Sequence, residues 1–139
     1  KEAAHFCASF TKRNSATVGG NIGLRRQDSY LAAALTAADA ELKSMTPHGE
    51  EMKPIGEYLQ GKCMRLIEYV VLDADRTGWV KRFTNTASSH AAVTAAVSGD
   101  IYAYGTTPDL ADSMEFTDDI SGSAAYKKYL AKTVFTLGR

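Results

Sequence analysis

The chain has 139 residues, 45% of them hydrophobic, and its 16 Lys+Arg offset 16 Asp+Glu to a net charge of zero. That length is one domain's worth, enough to bury roughly two thirds of the unfolded surface around a single core. The even charge excludes the basic bias of a nucleic-acid binder and the one-sided charge of a disordered tail, and no apolar run reaches the ~20 residues that span a bilayer.

Lys1 rather than Met comes first, so the chain is expected to be processed or cut from something longer. Its opening lacks the basic start and apolar body of a signal peptide. Ala3 to Phe10 predicts a short helix, and Asn14 to Gly23 reads as a glycine-rich connector. Within it, Gly19-Gly20-Asn21-Ile22-Gly23 has no strand before it, as a phosphate loop requires. From Gln27 to Met45, Leu31, Leu35, Ala38, Leu42 and Met45 recur at helical spacing among many alanines. Asp28 and Lys43 complement the two ends of that helix dipole, and Thr46-Pro47-His48-Gly49 stops it.

A second helix is expected over much of Glu51 to Leu72, with Ile55, Leu59, Cys63, Leu66 and Val70 as its stripe. Asp73 to Gly78 is a turn. Asn85 or Thr86 caps a third helix through Ala91 to Val97, ended by Ser98-Gly99-Asp100. Ile101 to Tyr104 alternates like a strand, too short to form a sheet alone. Thr107-Pro108-Asp109 opens a helix towards Phe116, and a last helix runs from Ser123 to Leu137. The reading is all-α: a single domain over 1–139 with about five or six helices, globin-like or an irregular bundle.

Catalytic signatures are absent from the sequence, which therefore predicts a non-enzymatic protein. His5, His48 and His90 lack partners at metal-ligand spacing, and Asp73/Asp75 and Asp118-Asp119 lack the ligand order of a calcium loop. Ser89-His90 pairs a nucleophile with a base, but neighbours on a helix point apart. Cys7 and Cys63 are too few for a disulfide scaffold or a thiolate zinc site. They read as reduced thiols, with a mutual disulfide or a covalent attachment point as alternatives. Cys63 lies among apolar residues, with Arg65 able to bind a carboxylate and Tyr58 and Tyr69 near its face. A plain core cysteine is the simpler reading of the same pattern.

Cys63-Met64-Arg65-Leu66-Ile67-Glu68-Tyr69-Val70-Val71 resembles the chromophore helix of phycobiliproteins. Thr46 to Gly49 is similar to the turn before that helix, Tyr102 to Pro108 to the segment opening the next, and Tyr129 to Val134 to the final helix. The resemblance implies a covalently attached bilin at Cys63, a propionate ligand at Arg65, and flanking Tyr58 and Tyr69. The family's aspartate, ligand of the pyrrole nitrogens, is Leu66 here. It further implies a light-harvesting or assembly subunit associated with thylakoids on the cytoplasmic or stromal side. The alternatives are a non-catalytic helical adaptor of a multi-subunit assembly, or a small ligand carrier or enzyme with a site built by tertiary contacts. Seven Tyr and five Phe favour partner subunits in either a homo- or a hetero-oligomer.

Overall fold

The computed structural model describes residues 2–6, 9–62, 65–86, 89–105, 107–108 and 115–134, the backbone alone at 107–108. In chain order its elements are α1 (Glu2–His5), α2 (Phe10–Ser15), α3 (Val18–Gly23), α4 (Tyr30–Ala37), β1 (Glu41–Thr46), β2 (Gly49–Pro54) and α5 (Ile55–Gln60). Then come β3 (Leu66–Val71), β4 (Gly78–Thr84), β5 (Ala91–Ser98), β6 (Ile101–Tyr104), β7 (Thr107–Pro108) and α6 (Ala124–Val134). The strands form two antiparallel sheets, ordered β2-β1-β3 and β4-β5-β6-β7. The architecture is mixed α/β, which corrects the all-α bundle.

The reason for the first long helix's failure is local. After α4 the chain turns at Asp39, whose φ of 53° is left-handed. The Asp39 amide donates to Thr36 O and the Ala40 amide to Leu35 O, both at 3.0 Å, which is the Schellman closure of a helix end. Beyond it, buried Leu42 and Ser44 alternate with outward Glu41, Lys43 and Met45, a period of two. Pro47-His48 then forms the tip of the β1–β2 hairpin, where Thr46 pairs with Gly49. The second expected helix survives only as α5, flanked by strands that pair with β1 on either side.

Ala91 to Val97 is strand, not helix, because β5 is buried on both faces. A doubly covered strand shows a near-continuous apolar run with no clear period. Thr107-Pro108 lies in β7 rather than opening a helix; most of the stretch towards Phe116 falls outside the described residues. The alternation at Ile101 to Tyr104 is realised as β6, and the last helix as α6, with 135–137 outside the described residues.

Helix α4 joins the two sheets. Tyr30, Ala33 and Ala37 pack with Val80, Ala96 and Ala103 of the four-stranded sheet. Leu31, Ala32 and Leu35 pack with Leu42, Ile67 and Val70 of the three-stranded one, closed by Ile22, Ile55 and Leu59. A helix apolar all round belongs inside, and its alanines let both sheets approach closely. On the far face of the larger sheet, Val93, Ala95 and Tyr104 meet Ala131 and Val134 of α6, and the Tyr104 hydroxyl donates to Ala131 O at 2.5 Å.

Two contacts then fix the segment before α4. Gly105 has φ of 53°, and a Cβ there would lie 1.8 Å from Gln27 O, so only glycine permits this approach. The Thr94 hydroxyl donates to Asp28 O at 3.3 Å. Asp28 is thereby held against β5 and the turn after β6.

Candidate functional site

The glycine-rich segment is a short helix, α3, not a connector. The Thr17 hydroxyl caps it by accepting the Gly20 amide at 3.0 Å. The Ser29 hydroxyl caps α4 by accepting the Ala32 amide, and donates to Asn21 Oδ1 at 2.6 Å, tying α3 to the start of α4. Gly19 and Gly23 stand one turn apart. Neither has a left-handed φ, and a Cβ at either would meet nothing within 4 Å. Backbone strain and internal packing therefore give no reason for glycine at these positions. What glycine does leave is bare main chain on the surface, open to close approach from outside.

That bare face borders a groove of about 360 Å³, walled by Arg25, Tyr58, Arg65, Leu66 and Ile67. The Arg25 guanidinium lies over the Tyr58 ring, 4.3 Å from its centroid, and also bonds Gly61 O. Arg65 bonds Glu51. Lys53 and, secondarily, Arg65 hold the Glu51 carboxyl below its ordinary range. Leu66 is 71% exposed at the rim.

On the other side of α3 lies a groove of about 600 Å³, whose wall includes Lys12, Asn21, Leu24, Arg26, Asp28, Tyr30, Arg82 and His90. Arg26 grips Asp28 with two parallel bonds of 2.8 Å, and His90 Nδ1 lies 2.9 Å from the same carboxylate. The Arg26 hydrogen bonds hold the Asp28 carboxyl below its ordinary value of 3.8, against an opposing effect of burial. Arg82 lies 4.7 Å from the Phe6 ring centroid and 5.4 Å from that of Tyr30, with the two rings edge to face. The two grooves carry five cations, Lys12, Arg25, Arg26, Arg65 and Arg82, met by Asp28 and Glu51.

Of the residues singled out in the sequence, Tyr58 and Arg65 come together in the smaller groove. Arg65 does bind a carboxylate, but the protein's own. Tyr69 lies elsewhere, on the outer face of the three-stranded sheet under Lys43, and is 49% exposed. Cys63, with Cys7, lies outside the described residues. The sequence reading missed Thr17, Asn21, Arg26 and Arg82. A threonine three residues before a glycine amide is a helix-cap signal that could have found α3. Among the described residues no cluster of three or more His, Cys, Asp or Glu could hold a metal ion, and no helix is long and apolar enough to cross a membrane.

Comparison with known proteins supplies the family context. The family described as FAD binding domain in molybdopterin dehydrogenase matches residues 1–74, just over half the chain. The uncharacterized protein YgfM of Escherichia coli strain K12 is 36% identical over 99 residues, 70% of this chain and 37% of its own. The chain thus spans little more than a third of that relative. Among solved structures, carbon monoxide dehydrogenase from Hydrogenophaga pseudoflava superposes with TM-score 0.74 at 20% identity, over 94% of this chain and 61% of its own. Quinoline 2-oxidoreductase from Pseudomonas putida 86 gives 0.78 at 14%, over 96% and 62%. Reconstituted CO dehydrogenase from Oligotropha carboxidovorans gives 0.76 at 16%, over 96% and 63%. These structures share the fold.

The phycobiliprotein resemblance is thereby overturned, and with it the light-harvesting role and the bilin. Its motifs were read on one continuous chromophore helix, whereas Leu66 to Val71 is strand β3. The non-catalytic adaptor and the expectation of no enzyme fall with it, since the matching family and folds are those of dehydrogenases and an oxidoreductase.

Proposed function

Because the chain belongs to the family of FAD-binding domains in molybdopterin dehydrogenases, we propose that it holds FAD along α3, as the flavin-carrying part of an oxidoreductase. The observation that carries this reading is bare glycine backbone flanked by two cation-rich grooves. FAD is a long, flat-ended dianion. Its pyrophosphate suits the bare α3 backbone with Lys12 and Arg82 of the larger groove, its hydroxyls suit Asn21 and Asp28, and its two ring systems suit the apolar walls at Leu24 and Tyr30 on one side and at Leu66 and Ile67 on the other. The residues present fit the group.

When bound, flavin supplies one- and two-electron transfer. The chain's own part is binding and orientation. Thr17 fixes the pitch of α3, Asn21 and Ser29 lock α3 to α4, and the Gly105–Gln27 approach holds Asp28 in place. We further propose that a molybdopterin-bearing partner, on another chain or another part of a longer one, exchanges electrons with this flavin.

Titrating the chain with FAD and following quenching of flavin fluorescence tests the proposal. Saturable binding is expected. Gly19→Leu places a side chain in space that is open now, so folding should be unimpaired, while FAD affinity drops by about tenfold, the equivalent of one blocked contact of about 1.4 kcal/mol. No quenching by the wild-type chain refutes flavin binding; equal affinity in Gly19→Leu refutes its placement on α3.

A further inference from the structure

In the larger groove Asp28, which suits the flavin's hydroxyls, is also the centre of a cluster with Arg26 and His90. Asp28 is the least exposed member of a trio: its side chain is 21% exposed, against 51% for Arg26 and 66% for His90. The carboxylate therefore sits beneath the two bases. It engages Arg26 through Nε and Nη2, leaving the Nη1 edge of the guanidinium for other acceptors. It engages His90 through Nδ1, leaving Nε2.

We propose that Arg26 and His90, pinned from below by Asp28, form a notch that binds an oxyanion, phosphate-like in charge and shape, and takes up a proton with it. The proton uptake follows from the position of His90 Nδ1, which is 2.9 Å from Asp28 Oδ2 and 3.3 Å from Arg26 Nη2. A charged imidazolium donates Nδ1–H to Asp28. A neutral ring accepts from Arg26 at the same nitrogen and carries its proton on Nε2. Both states keep Nε2–H as a donor and differ by one positive charge. An anion beside the ring favours the charged state, so binding and protonation reinforce one another. Among the described residues, the other charged or titratable groups of this groove are Lys12 from α2, Tyr30 from α4 and Arg82 from β4. Asp28 remains ionised across the histidine range because Arg26 holds its carboxyl low.

The notch does not depend on the flavin reading, since a free oxyanion can use Arg26 and His90 whether or not a cofactor's pyrophosphate uses Lys12 and Arg82 of the same groove. Sulfate, whose charge is constant across the range, is the first probe, and FAD is the second. Each is titrated by NMR into the wild-type chain and His90→Gln at about pH 8 and about pH 5.5, either side of the imidazole range, with proton uptake counted by calorimetry in two buffers. The wild-type chain should bind sulfate about three- to fivefold more tightly at the lower pH, the worth of one exposed charge contact. It should take up protons on binding, and His90→Gln should do neither. Sulfate binding with no pH dependence, a pH dependence that survives in His90→Gln, or no sulfate binding overturns the notch. Proton-linked sulfate binding without FAD binding upholds the notch and sinks the flavin reading. FAD binding without proton-linked sulfate binding does the reverse.

Discussion

Asp28 shows how one side chain can be committed by its surroundings. Arg26 and His90 both favour its ionised form, so its folded pKa lies below its unfolded value. A depressed carboxylate contributes stability that is fully present above the ordinary value of 3.8 and is lost as pH falls below it. Acid titration of the chain, followed by circular dichroism, should show this loss, and Asp28→Asn should flatten that limb. Asp39 is a second informative residue because it holds a left-handed φ without being glycine. Asp39→Val should cost about 1–2 kcal/mol, as a β-branched side chain is poorly tolerated there. Urea denaturation gives the number directly. Asp39→Gly keeps the turn but loses the 3.2 Å bond from Arg76, so it should fall between valine and wild type.

The elements explain what was legible in the sequence and what was not. Turns and part of the apolar stripes were visible: Leu35, Leu42, Ile55 and Leu59 are core with Leu31 half-buried against them. Met45 and Leu66 of the same stripes are exposed, the cap read at Asn85 or Thr86 precedes a strand, and the one read at Thr107 lies in a strand. The change of state between them was not. Nothing in Ala38-Asp39-Ala40 announces a helix end, because the closure is made by main-chain bonds and a left-handed aspartate. In β5, alanine's helix propensity competes with a tertiary setting buried on both faces, and the setting prevails. The site was partly legible. Tyr58 and Arg65 were singled out for the wrong ligand yet share a groove with Gly19. The glycine segment was dismissed because no strand precedes it, a rule suited to βα phosphate loops and not to a threonine-capped helix between two others. His90 was weighed only against its neighbour Ser89, whereas its partners come from residues 26 and 28. Since Ala96 of β5 is fully buried in the cluster it shares with α4, Ala96→Leu should destabilise the chain by about 1–3 kcal/mol through overpacking. Denaturant unfolding checks this, and a neutral result would contradict the tight sheet–helix contact.

Across the whole molecule, zero net charge conceals a local bias. Five cations line the two grooves beside α3 against Asp28 and Glu51, whereas on the three-stranded sheet Glu50 and Glu68 are paired with Lys43. A neutral chain can therefore still attract a dianionic ligand to one face, with an affinity that weakens as salt screens the grooves. Whether FAD lies along α3 between those grooves is read most directly from amide NMR shifts on adding FAD to the 139-residue chain. The largest changes are expected at 17–23 and at the groove residues Arg25, Arg26, Asp28 and Leu66. Changes centred on Tyr69 and Val71 of the opposite sheet face, with α3 unmoved, would contradict that placement.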